Sequence, residues 1–179
     1  MKQSARLFIG VLVAAFMLAS MTPAMAQQKQ LLSYKVGTEN FKYTQQHTID
    51  VGDVPGHQVR IYEIHRTFPM GGPKFNGLRL VEQWSRAFSD YTDLNGPSTV
   101  YNVYVLENGD KVFARGNLIA QTIANADGSK KTTATSVAHF SGGTGKFGGI
   151  QGSIKAVTIS NIKAGLNETQ VDVEYWIEK

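Results

Sequence analysis

The sequence predicts an all-β fold, an eight-stranded antiparallel β-barrel. Three observations carry this expectation. Apolar and polar residues alternate one by one through most of the chain after residue 33. Turn signals interrupt that alternation at intervals of roughly ten residues, which is the rhythm of an antiparallel meander. No helical apolar repeat of useful length follows the first 26 residues.

The start of the chain reads as an export signal. Lys2 and Arg6 are its positive end, residues 7–19 its apolar stretch, and Ala24-Met25-Ala26 a small-x-small cleavage site. The apolar run is about 13 residues, against the ~20 that a spanning helix needs. The expectation is a signal peptide over 1–26, a single barrel domain over 27–179, and no integral membrane span after cleavage. The destination is periplasmic or extracellular.

The strands follow in order. A weaker strand falls between residues 34 and 50, after a polar start. Residues 58–68 form the first strong one. Val59, Ile61, Glu63, His65 and Thr67 share one face, and Arg60, Tyr62, Ile64, Arg66 and Phe68 the other. Pro69-Met70-Gly71-Gly72-Pro73 breaks it. Residues 78–88 place Leu78, Leu80, Glu82, Trp84, Arg86 and Phe88 on one side. After a loop at 93–97, residues 98–106 are rich in Val and Tyr. Asn108-Gly109 is a strong hairpin signal and leads into 111–125. Ala126-Asp127-Gly128-Ser129 turns the chain into 131–140. Beyond a glycine-rich corner come 153–163 and the last strand, 169–178. There Val171, Val173, Tyr175 and Ile177 face one way. Eight meandering strands can close on themselves and so remove their exposed edges. At that number the interior is either filled or holds one small ligand. An open sandwich is the structural alternative.

Composition narrows the function classes. The full chain carries 18 basic and 14 acidic residues, and Lys2 and Arg6 leave with the signal. The remaining basic residues are scattered among acidic ones, which argues against nucleic acid as a partner. There is no cysteine, so disulfides, thiolate catalysis and Cys-type metal sites are excluded.

The glycine corner is the most distinctive stretch. Gly142-Gly143-Thr144-Gly145-Lys146-Phe147-Gly148-Gly149-Ile150-Gln151-Gly152 places six glycines in eleven residues, just before the penultimate strand. It lacks the Gly-Lys-Ser/Thr ending of a phosphate loop and precedes a strand, not a helix. It resembles the Gly-Gly-Ser/Thr-Gly-x-Phe-x-x-x-x-Gly segment of dirigent proteins and allene oxide cyclases. With the meander order, the likeness spans roughly 59–179. The resemblance implies a calycin-type eight-stranded barrel with an apolar cavity, no metal and no organic cofactor. It also implies a homodimer or homotrimer, and steering of reactive, largely apolar small molecules. The family's catalytic residues do not map onto this chain position by position.

Glu63 and Glu82 are the candidate catalytic groups. Each follows apolar residues on its own strand face, and a carboxylate buried in a barrel can serve as general acid or base. The alternative is a solvent-tilted face with Glu63 paired to a basic neighbour. His65 shares the Glu63 face, but no histidine pair has the spacing of a zinc site, and a rim histidine is the commoner reading. Tyr62, Trp84, Tyr101, Tyr104 and Tyr175 are candidate ligand-binding residues, because aromatics with a polar tip suit an amphipathic ligand. Each also suits an ordinary core. Asn102 and Asn117 can offer hydrogen bonds inside. Arg60, Arg66, Arg79, Arg86 and Arg115 all lie in strands and can receive a carboxylate or phosphate, though a solvated outer face is the preferred reading. The expected function is binding of an apolar or amphipathic small molecule in the barrel. A cofactor-free cyclase or isomerase acting on an oxidised lipid, polyketide-like or phenolic substrate is the alternative. A filled structural barrel is the third reading.

Overall fold

The computed structural model describes residues 28–178, so the expected signal at 1–26 lies outside the described residues. Ten strands follow in chain order: β1 (Gln30–Val36), β2 (Phe41–Asp50), β3 (His57–Thr67), β4 (Lys74–Phe75), β5 (Leu78–Thr92), β6 (Gly96–Leu106), β7 (Lys111–Ala124), β8 (Lys130–Gly143), β9 (Ile150–Asn161) and β10 (Leu166–Ile177). They form one sheet in the order β1-β10-β9-β8-β7-β6-β5-β3-β2, with β4 beside β5. Every pairing is antiparallel. No α-helix occurs among the described residues.

The count of ten corrects the expected eight. Residues 34–50, read as one weak strand, belong to two strands separated by a 3-10 turn at Thr38–Asn40. At that corner the chain changes partner, from β10 to β3. Thr38 pins the corner to β10: its Oγ1 accepts from Asn167 N at 2.8 Å and faces Asn167 O at 3.2 Å. The other addition, β4, is two residues long and too short to show any alternation.

The ladder is open, with β1 at one end and β2 at the other. The sheet nevertheless curls around its own inner face. One core cluster draws Val36 from β1, Leu80 from β5, Tyr104 and Leu106 from β6, Val112 from β7, Phe140 from β8, Ile154 from β9 and Tyr175 from β10. A single sheet face can bury itself in this way only by bending round on itself. Tyr34 on β1 also packs edge-on against Phe68, just past β3, with ring centroids 6.2 Å apart.

One end of this interior is solid. Phe75, Leu80, Leu106, Val112, Phe147, Ile150 and Tyr175 are almost wholly buried there. Phe75 sits at the middle, within 5.5 Å of the Tyr175 ring and 6.5 Å of Phe140. The Tyr175 hydroxyl accepts from Asn76 N at 2.7 Å and donates to Gln30 Oε1 at 2.6 Å, which ties β10 to β1 and to the turn after β4. The glycine corner closes the same end. Its 3-10 turn, Gly145–Phe147, drops the Phe147 ring into the core. Gly152 holds φ at +126°, and a Cβ there would collide with the Glu174 carbonyl oxygen of the neighbouring strand. Only glycine fits that position.

Candidate ligand cavity

Inside and outside are set strand by strand. On β3 the inward residues are Tyr62, Ile64 and Arg66, while Ile61 is 61% exposed. On β5 a bulge at Val81 shifts the pairing between Leu80 and Glu82. Leu80 is therefore buried, and Glu82, two residues on, lies on the opposite face. Beyond the bulge Gln83, Ser85 and Ala87 point inward.

Above the solid floor the interior is hollow. An inner chamber of about 100 Å³ is bordered by residues of β1, β3 and β5 to β10, including Tyr34, Val36, Ile64, Val100, Ile154 and Val171. A larger chamber of about 330 Å³ lies next to it, under Phe41, Tyr43 and Gln46 of β2. Tyr62, Ile64, Arg66, Leu118 and Thr158 border both.

The polar groups of the inner chamber converge on Arg66. Its Nη1 donates to Ser85 Oγ at 3.3 Å. Ser85 Oγ in turn donates to Asn102 Oδ1 at 2.6 Å, and Gln83 Nε2 reaches Ser85 Oγ at 3.1 Å and Asn102 Oδ1 at 3.3 Å. The Phe41 ring lies 5.2 Å from the guanidinium carbon. Arg66 makes no ion pair among the described residues. Enclosure works against its charge and draws its pKa down from the ordinary arginine value. Burial pushes the phenols of Tyr34, Tyr62 and Tyr104 well above the ordinary tyrosine range. They therefore stay protonated at neutral pH, as hydrogen-bond donors. The lining of both chambers contains no Asp, Glu or Lys; its charged members are Arg66 and, in the larger chamber, Arg60.

The sequence-derived candidates divide between the two faces. Tyr62, Asn102 and Tyr104 line the inner chamber. Tyr175 is in the floor and borders neither chamber. Asn117 touches the inner chamber beside Gly116, but its residue is exposed and its carboxamide faces the Thr99 hydroxyl at 3.4 Å. Trp84 and Tyr101 lie outside. Trp84 stacks on His65 at 3.9 Å and donates from Nε1 to Glu82 Oε2 at 3.0 Å. Tyr101 is half exposed, beneath the Arg115 guanidinium.

The carboxylates are outside as well. Glu63 pairs with Arg86 at 2.7 Å and accepts from Thr44 Oγ1 at 2.7 Å. Glu82 Oε2 lies 3.4 Å from His65 Nε2, off the line of a hydrogen bond. Neither carboxylate borders a chamber, so the premise that placed them in the interior is corrected. No cluster of three or more His, Cys, Asp or Glu that could hold a metal occurs among the described residues. Tyr34, Gln83 and Ser85 were not singled out as ligand contacts by the sequence, and Arg66 was named as able to receive an anion but assigned by preference to a solvated outer face. For Arg66 the clue was present, since it shares a strand face with Tyr62, Ile64 and Phe68. Comparison with protein-family models and with curated proteins finds no match to this chain.

Proposed function

We propose that this protein is an exported binding protein for an apolar or amphipathic small molecule. The observation that carries the reading is the pair of adjoining chambers, lined by aliphatic and aromatic side chains with polar groups among them: Arg66, Gln83, Ser85 and Asn102 at the inner chamber, and Arg60, Gln46 and Ser160 at the outer one. That is the usual make-up of a small-molecule site. The barrel reading of the fold belongs to the same proposal. With β1 and β2 taken as one bent stave and β4 set aside, eight staves surround the chambers, as in the allene oxide cyclase and dirigent architecture that the glycine corner resembles. This reading needs no catalytic carboxylate. Glu63 and Glu82, on which a cyclase or isomerase mechanism would depend, lie on the far side of the wall.

The test is native mass spectrometry of the mature protein from its own source, with organic extraction, together with titration of the neutral probe Nile red. A stoichiometric small molecule, or saturable Nile red binding at one site per chain, is the expected result. A clean protein mass with no probe uptake would overturn the reading in favour of a filled barrel.

A further inference from the structure

The interior contains a charge that the protein does not balance. Arg66 lies on the inward face of β3 and borders both chambers, so what remains of its accessible surface faces the cavity. A guanidinium carries five N–H donors, and the one hydrogen bond it makes among the described residues is to Ser85 Oγ. No carboxylate borders either chamber. An enclosed cation without a partner is costly, and in a binding site that cost is recovered when the ligand brings the counter-charge.

The surroundings select the kind of anion. Ser85 and Gln83 hold the guanidinium side of the chamber through the Asn102 network. The hydroxyls of Tyr34 and Tyr104 make no hydrogen bond to protein among the described residues, so they are free to donate into the cavity, whereas the Tyr62 hydroxyl sits against the Tyr91–Ser98 hydroxyl pair. The second cation, Arg60, is elsewhere: its Nη2 donates to Gln46 Oε1 at 2.8 Å, in the outer chamber. One guanidinium beside an inner chamber of about 100 Å³ matches one compact, singly charged head. Beyond it, the larger chamber offers Phe41, Tyr43, Leu94, Leu118 and Ala120 to an apolar body, and its polar pair Arg60 and Gln46 already hydrogen-bond each other.

Resting on the binding function above, we propose that the ligand is an amphipathic monocarboxylate whose carboxylate group is received by Arg66 with the Tyr34 and Tyr104 hydroxyls, while its apolar part occupies the chamber under β2. Planar guanidinium and carboxylate pair through two parallel hydrogen bonds, which fixes the head and orients the rest of the molecule.

The experiment is displacement of Nile red by octanoate, dodecanoate and phenylbutyrate, each against its matched alcohol and against octyl phosphate. Wild type, Arg66→Met and Arg66→Lys are compared, with folding checked by circular dichroism. Wild type should favour each carboxylate over its alcohol by about tenfold or more. Arg66→Met should lose that preference and Arg66→Lys keep part of it. In wild type alone, lowering the pH below the acid's own pKa should also erase it, so the test stands even if a variant fails to fold. Equal binding of acid and alcohol overturns the proposal and leaves the binding function intact. A carboxylate preference that survives Arg66→Met overturns the role of Arg66. Tighter binding of octyl phosphate overturns the single-charge assignment. Failure of Nile red and every competitor removes the binding function, and the proposal with it.

Discussion

Glu63 and Arg86 face each other directly across the β3–β5 ladder, with 2.7 Å between Oε2 and Nη2. This is a cross-strand ion pair on the outer wall. Glu63→Gln is therefore expected to leave ligand binding unchanged and to cost about 0.2–1 kcal/mol in stability. Urea denaturation and a Nile red titration of the same variant check both halves. Lost binding with retained stability would contradict this placement.

His57 predicts a pH optimum of stability. Its Nε2 lies 2.7 Å from Asp90 Oδ1 and its Nδ1 lies 2.6 Å from Asp53 Oδ1, which clips the turn before β3 onto β5. The hydrogen bond to Asp90, then that to Asp53, raises the imidazole above its ordinary value. The bond to His57, then the Val54 amide, lowers the Asp53 carboxyl. The histidine's contribution is complete below its unfolded value of about 6.5 and is lost as pH rises through the raised folded value. The aspartate's is complete above about 3.9 and is lost as pH falls through the lowered one. The clip is thus strongest between about pH 4 and pH 6.5. Melting temperature against pH should show a maximum in that window, and His57→Asn should flatten it.

The floor should be the stability centre. Phe75 is wholly buried although its strand is only two residues long. Phe75→Ala is expected to cost about 3–5 kcal/mol by urea denaturation. Tyr175→Phe keeps the ring and strands the Asn76 amide and Gln30 carboxamide, for about 1–3 kcal/mol.

Within the glycine corner two neighbours should behave oppositely. Gly152→Ala meets both a positive φ and the Glu174 carbonyl, and should cost about 2 kcal/mol or more, or abolish folding. Gly148→Ala should be tolerated: its φ is −54°, and the nearest atom to a new Cβ is 3.8 Å away. Thermal melts of the pair decide this.

Much of the fold was legible because alternation and turn chemistry are local. The strands from 58 to the chain end lie close to their expected places, and Asn108-Gly109 does turn β6 into β7. Two features were not legible. The bulge at Val81 reverses the sense of β5, so a periodic reading carried from Leu80 puts Glu82 on the wrong side. The outer wall also holds large apolar residues, among them Ile61 and Phe88, which pair across β3 and β5. With apolar residues on both faces, periodicity alone cannot tell lumen from exterior, and the candidate site inherited that ambiguity. Arg66 was assigned to the outside by the ordinary rule that charges face water. Sites built to hold a counter-charge break that rule.

The partner change at Thr38–Asn40 has a kinetic meaning. Between β2 and the upper part of β10 the wall is continuous in covalent chain but not in main-chain hydrogen bonds. The larger chamber lies beneath this gap, with Phe41 and Tyr43 on one bank and Ser160 and Asn167 on the other. For the ligand proposed above, entry here would require side chains alone to rearrange, without melting any rung of the sheet. Under the proposed binding function, residence time would then be set by a few aromatic rotamers at this slit, and a very stable protein could still exchange its guest quickly.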